Sequence, residues 1–180
     1  MSNDEARRYG WVYDGSQRPA FAETPGPGQE SIWDYPRPPA LVADSRRVRV
    51  FLGEQLVAET RQAYRLLETA GAPTFYLPAE AVDQSLLSPS PARSHCEWKG
   101  QAQYWHVRSG ARQADHAAWA YPKPHARYAA IAGYVAFYLG ELRGYVDEEQ
   151  ARPQPGGFYG GWVTSDVVGP FKGEAGTQGW

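Results

Sequence analysis

Apolar and polar positions alternate most cleanly over residues 45–60. Val48, Val50 and Leu52 interleave with Arg47, Arg49 and Phe51, the period-two pattern of a half-buried strand. Gly53-Glu54 separates this run from Gln55–Thr60, and Gly at the first central position of a two-residue loop predicts a type II′ hairpin. That register sets Phe51 opposite Leu56 and Val50 opposite Val57. The period then changes. Ala63, Leu66, Leu67 and Ala70 share one side of a 3.6-residue repeat, with Thr60 as N-cap, Gly71 as C′ and Pro73 beyond, which predicts a short helix. T-F-Y-L at residues 74–77 reads as a buried strand, and Pro78 opens a second short helix to about residue 87.

Further along, S-P-S-P-A at residues 88–92 reads as a loop. Residues 93–98 and 101–108 make a hairpin about Lys99-Gly100, and Ser109-Gly110 turns the chain into residues 111–121. Residues 131–142 fit a helical stripe, but the segment between Gly133 and Gly140 also suits a buried strand; the reading adopted is a strand preceded by a short helical turn. Trp162-Val163-Thr164 and Val167-Val168 are short strand candidates. The sum is an α+β, mainly β fold: one compact domain of short antiparallel strands with two or three short helices.

Three regions follow from the same pattern. Residues 1–29 are rich in Pro, Gly and charge, with rings at Tyr9, Trp11, Tyr13 and Phe21. T-P-G-P-G at residues 24–28 excludes helix and central strand there, because proline lacks a donor and restricts its neighbour. This is read as an extended N-terminal arm. Residues 30–150 form the β-rich core, opening on an extended E-S-I-W-D-Y-P-R-P-P with Trp33 and Tyr35 to one side. Residues 151–180 are a Gly/Trp-rich C-terminal extension packed on that core.

Composition narrows the function classes. At 180 residues with a formal net charge of −2, the chain suits one domain and offers no basic field for nucleic acid. Seven Trp and twelve Tyr argue for a core or a pocket built from rings. The single Cys excludes an internal disulfide and a Cys-rich zinc site and fits a reducing compartment. Residues 1–8 are polar and charged, and the longest apolar run, residues 129–139, is interrupted by Gly and Tyr. Neither a signal peptide nor a membrane span is expected, and the expected location is cytoplasmic.

The segments E-S-I-W-D-Y-P-R-P-P, S-R-R-V-R-V, R-L-L-E-T, F-Y-L-P, H-C-E-W-K-G-Q-A-Q-Y-W, A-A-W-A-Y and I-A-G-Y-V-A-F-Y, in this order, resemble a bacterial family known as domain of unknown function 427. The resemblance covers roughly residues 30–147. It implies a tent-like β fold similar to the Mss4 and methionine sulfoxide reductase group, and little about activity. The family sometimes carries a nucleotidyltransferase label. Such chemistry needs paired acidic residues holding magnesium beside a Gly-Ser turn; here Gly15-Ser16 leads to Gln17-Arg18-Pro19 instead. Tent-fold relatives that hold zinc do so with pairs of C-x-x-C, and Cys96 stands alone.

The candidate chemistry centres on Lys99, Glu68 and Cys96. Cys96 follows His95, but neighbours in a strand point to opposite faces. It is therefore either a buried structural thiol or one activated by Lys99 or another cation. Lys99 in a hairpin turn is either solvated or turned over the sheet, where rings desolvate it and it binds an anion or forms an imine. The K-G of the resembling family favours the second. Glu68 falls near the negative pole of the predicted helix, where a cation is preferred. It either pairs with Arg46, Arg47 or Arg49 or serves as a general base beside Lys99.

Tyr76, Tyr104, Trp119, Tyr121, Tyr134 and Tyr138 sit on predicted strands, as core rings or as the walls of a shared pocket that satisfies their polar tips. His106 and His116 flank the 109–110 turn; with no third ligand at matching spacing, no metal or other cofactor is assigned. The leading functional reading is a small-molecule pocket lined by rings around Lys99 and Glu68, with a metal-independent enzyme among its forms. The alternative is a non-catalytic interaction or oligomerisation domain whose arm and tail wrap a partner or a second copy in a homodimer. Stacking of single-stranded nucleic acid lacks the positive groove it needs. Convergence of Lys99, Glu68 and at least two tyrosines on one cavity of about 300 Å³ or more separates the first two.

Overall fold

A computed structural model of the chain describes residues 11–177, 179 and 180; the expected ring at Tyr9 and the polar start lie outside the described residues. In chain order the strands are β1 (Glu30–Ser31), β2 (Ala40–Asp44), β3 (Val48–Leu52), β4 (Gln55–Thr60), β5 (Ala63–Leu67), β6 (Thr74–Tyr76), β7 (Leu87–Cys96), β8 (Gly100–Ser109), β9 (Arg112–Ala120), β10 (Val135–Phe137), β11 (Leu142–Val146), β12 (Glu149–Gln150), β13 (Arg152–Pro153), β14 (Trp162–Val163) and β15 (Val167–Val168). They form two four-stranded antiparallel sheets, ordered β10-β9-β8-β7 and β12-β11-β3-β4, and a three-stranded sheet, β2-β5-β6. Two short ladders, β13-β14 and the parallel pair β1-β15, complete the fold. The fold is mainly β with a few 3-10 turns, as expected from the sequence.

The β3–β4 hairpin has Phe51 opposite Leu56 as expected, with Gly53 at φ +60°. Val50, however, faces Ala58 rather than Val57, because the register shifts by one residue between Val50 and Phe51. The main core lies between this sheet and β8–β9, built from Val48, Val50, Phe75, Val107, Ala118, Phe137 and Trp162. A second cluster gathers Leu66, Tyr76, Trp98, Ala102, Trp119, Tyr121, Tyr128 and Ile131. A third packs Tyr13, Phe171 and Trp180 on Ile32, Trp33 and Tyr35.

One sheet, through its β7–β8–β9 band, serves the first two clusters. Between β8 and β9 the register shifts between Trp105 and Val107, and between β7 and β8 it shifts between Pro89 and Arg93. His116 on β9 takes a left-handed φ of +53° within the same band. Each shift sets two extra residues, on β7 and on β9, against β8, and an even number leaves the faces of β8 unchanged. By plain alternation Trp105 and Val107 join the main core, while Ala102 and Tyr104 on the same strand join the second cluster.

Several local expectations are corrected. Residues 63–67 form strand β5, not a helix, lying between β2 and β6 with Leu66 opposite both Leu41 and Thr74. Both faces of β5 are covered, Leu66 in the second cluster and Leu67 in the third, so its apolar residues do not alternate and mimic a helical stripe. Thr60 Oγ1 accepts from Gln62 N–H at 3.0 Å in a tight turn. The second expected helix is two single 3-10 turns, Ala79–Ala81 and Gln84–Leu86. Residues 88–92 belong to β7, where Pro89 and Pro91 are tolerated because β7 is the sheet's edge strand. Ile32–Asp34 is a 3-10 turn, capped by Ser31 Oγ accepting from Trp33 N–H. The strand expected between Gly133 and Gly140 is β10, after the 3-10 turn Ala126–Ile131.

Gly144 on β11 shows how tightly the main core closes. A Cβ there would stand 2.7 Å from the Trp162 ring and 2.8 Å from Leu139. Trp162 has little freedom to yield, being 1% exposed with its indole N–H donated to Phe137 O at 2.9 Å. Gly144→Ala is expected to lower stability by about 1–3 kcal/mol through overpacking, measured as a fall in the urea midpoint at unchanged m-value.

Candidate functional site

The second cluster does not fill its space. It borders a cavity of about 390 Å³, walled by Tyr76, Tyr104, Trp119, Tyr121 and Tyr138, with Cys96, Lys99 and Glu68 among its polar groups. Seven of the eight site residues expected from the sequence therefore meet around one space. Tyr134 is the exception: its ring packs on Tyr64 at 5.6 Å, away from the cavity lining.

Lys99 sits in the loop Glu97-Trp98-Lys99 that joins β7 to β8, closed by the pairing of Cys96 with Gly100. His125 pins this loop from outside, its N–H donating to Lys99 O at 3.2 Å and its Nδ1 donating to Trp98 O at 2.9 Å. The side chain turns inward, so Lys99 is 6% exposed rather than solvated. Its ammonium lies 5.4 Å from the centre of the Tyr121 ring and interacts electrostatically with Cys96, which lines the same cavity. Among the described residues no carboxylate pairs with it. Burial works against the charge, while electrostatic coupling to Tyr76, Cys96 and Glu68 favours it, and the balance lies above the ordinary lysine value. Tyr76 is pushed up to about 12, chiefly by burial, so it is a neutral phenol at pH 7. Burial likewise raises Tyr121 and Tyr138.

Glu68 directly follows β5, so the argument from a helix pole falls with the helix. Its partner is also different: Oε1 accepts from Arg37 Nε at 3.2 Å and from Trp98 Nε1 at 3.4 Å. The three arginines expected to hold it are engaged elsewhere, Arg46 with Asp44 and Asp166, Arg47 with Glu59, and Arg49 with Glu148. Arg37 also donates to Tyr13 O, Thr69 O and Trp180 O. Burial holds its guanidinium below the usual range, with Glu68 resisting.

Sequence reasoning missed this end of the cavity. Arg37, Lys172 and Trp11 converge there; the Arg37 guanidinium and the Lys172 ammonium each lie 4.1 Å from the Trp11 ring centre. Trp11 Nε1 is buried without a hydrogen-bond partner. Gln154 closes the floor, accepting from Ala72 N–H at 2.9 Å and donating to Lys172 O at 2.7 Å. Phe158, 76% exposed, and Tyr159 stand at the rim. These residues are far apart in sequence; the one local signal was an arginine set among prolines at residues 36–39.

His106 and His116 do face each other, with ring centres 4.7 Å apart. His106 Nδ1 bonds to Asp115 at 2.6 Å and His116 Nδ1 to Ser90 Oγ at 2.6 Å. Among the described residues no group of three or more His, Cys, Asp or Glu side chains could hold a metal ion, and no helix is long and apolar enough to cross a membrane.

A family model described as domain of unknown function (DUF427) matches residues 40–148, and the chain belongs to that family. The resemblance read from the sequence is thereby confirmed over this span. The match takes in Glu68, Tyr76, Cys96, Lys99, Tyr104, Trp119 and Tyr121, whereas Trp11, Arg37, Gln154, Tyr159 and Lys172 lie outside it. No curated protein matches the chain.

Two outcomes follow from the charges. Arg37→Met leaves Glu68 without its cation and Tyr13 O and Thr69 O without this donor, while Trp98 still donates to Glu68 and Lys172 to Trp180 O. It is expected to cost about 3–5 kcal/mol in urea denaturation; Arg18→Met, which breaks the exposed pair with Asp34, leaves the midpoint almost unchanged. Lys172 is lowered to about 8 by burial and by Arg37, against Glu68 and Glu97. A lysine depressed on folding binds fewer protons folded than unfolded, so the penalty stands below pH 8 and lifts as pH rises toward 10.5. Stability is expected to rise between about pH 8 and 10, before the raised tyrosines act in the opposite sense, and Lys172→Met should flatten that rise.

Proposed function

From this family membership and the shape of the cavity, we propose that the chain binds a small organic acid, its planar or apolar body among the rings and its anionic group on Lys99. The observation that carries this is Lys99 itself: an ammonium 6% exposed, bordering open space, with Cys96 and a ring face for company and no paired carboxylate among the described residues. A buried cation is costly unless paired or hydrogen-bonded, and a bound anion supplies the missing partner. The volume of about 390 Å³ falls within the range of small-ligand sites, and mostly apolar walls with a few converging polar groups are their usual composition. Three cations, Arg37, Lys99 and Lys172, border the cavity against two carboxylates, Glu68 and Glu97, which also favours an acid.

The ammonium form of Lys99 supports anion recognition over imine formation, since an imine needs the free amine. A magnesium-dependent nucleotidyl transfer has no acidic cluster to support it among the described residues. The rival reading, an interaction domain built on arm and tail, finds less support. The rings of Tyr13 and Phe21 contact Trp33 within the same chain at 5.3 and 5.0 Å, and Phe21 stacks on Trp180. The tent-like fold of the Mss4 group and a cytoplasmic setting belong to this proposal, on the strength of the resemblance and the reduced single thiol.

Thermal-shift measurements with aromatic carboxylates of benzoate size, each paired with its neutral amide, test the reading. The carboxylate is expected to raise Tm by mass action, by about 2.7 kcal/mol of stability at one hundred times its Kd, and the amide to do so far less. Lys99→Ala should abolish the difference while far-ultraviolet circular dichroism stays unchanged. A shift that persists in Lys99→Ala removes Lys99 from the site.

A further inference from the structure

Cys96 is the chain's single thiol, and the cavity places it beside the cation that the preceding reading assigns to an anion. It closes β7, half-buried, with its pairing to Gly100 forming the base of the loop that carries Lys99. That loop places the buried Lys99 side chain in the lining of the same cavity as Cys96, and His125 holds the loop through two hydrogen bonds to its main chain. Sulfur and ammonium border the same space as Tyr76, Tyr104 and Tyr121. Cys96 lines the cavity, and the carboxylate of an acid held by Lys99 would rest near it.

We infer that Cys96 is a covalent nucleophile for a small electrophilic acid, with Lys99 holding the carboxylate so that the carbon beside it faces the sulfur. The inference rests on the proposed anion site and adds bond formation to it. In the step, the thiol gives its proton to solvent and the sulfur electron pair forms an S–C bond. The bond from that carbon to its leaving group breaks, and the leaving group departs with the pair. Nothing is oxidised or reduced, and no further reagent is required. The fitting chemical class is a small carboxylic acid bearing a leaving group on the adjacent carbon. Lys99 acts in two ways: a cation near a thiol favours the nucleophilic thiolate in general, and it attracts the anionic reagent selectively.

The two effects separate in one experiment. The full chain is alkylated with iodoacetate or with neutral iodoacetamide at the same pH, rates are followed by intact mass, and glutathione provides the reference ratio. The iodoacetate-to-iodoacetamide ratio for Cys96 is expected to exceed that of glutathione on the order of tenfold, equivalent to about 1.4 kcal/mol. Lys99→Met should return the ratio to the glutathione value and Lys99→Arg should keep most of the excess. If Lys99→Met does not fold, the wild-type ratio decides alone. A wild-type ratio at or below that of glutathione, or a Cys96 inert to both reagents in the native protein yet alkylated in urea, overturns the inference. The carboxylate-dependent rise in Tm is measured separately, so loss of the nucleophile leaves the binding reading standing or falling on its own result.

Discussion

Strict alternation points successive side chains of a strand to opposite faces, so neighbouring rings on one strand can line two different interiors. The register shifts across β7, β8 and β9 are of two residues each and keep that alternation on β8. On one side of the band Trp105, Val107 and Ala118 seal a dry core; on the other Tyr104 and Trp119, directly opposite each other, stand at a cavity. The left-handed backbone at His116 is part of the same device, and strain of this kind persists only where the surroundings fix it. Everything proposed for Lys99 and Cys96 depends on this division, which gives Trp105 to the packed core and Tyr104 to the hollow.

The two ends of the cavity treat buried positive charge differently. Arg37 is fully served, with a carboxylate and three carbonyls around its planar fork, which is the arrangement suited to a structural guanidinium. Lys99 has a sulfur and an aromatic face. A local choice that costs stability without an evident structural return is where function is to be sought, and here it coincides with rings that exclude water and strengthen any charge interaction formed inside.

Much of this was legible in the chain because it is written locally. The period-two run at Val48–Leu52, the Gly53 turn and the presence of a hairpin near Lys99 each need only neighbouring residues. That hairpin turns over residues 97–99, with Gly100 paired to Cys96, rather than about Lys99-Gly100. The helix expected over residues 60–70 failed because β5 is covered on both faces, and coverage is a property of the partners β2 and β6, not of the segment. Glu68 was singled out for a helix pole that does not exist, yet it borders the cavity; a carboxylate next to apolar residues was the sounder signal. Tyr134 looked like its neighbours, yet its ring packs on Tyr64 and is not part of the cavity lining. Arg37, Trp11 and Lys172 meet over more than a hundred residues of separation, and no local pattern encodes such a meeting.

The prolines of β7 carry a last consequence. Sheet borders normally offer a row of amide donors that a foreign strand can copy, the starting point of ordered aggregation. Pro89 and Pro91 leave two gaps in that row on the outermost strand of the sheet that walls the cavity. A sequence this rich in aromatic residues would otherwise make a sticky template; the gaps guard against runaway polymerisation while leaving the ring-lined hollow on the inner side untouched.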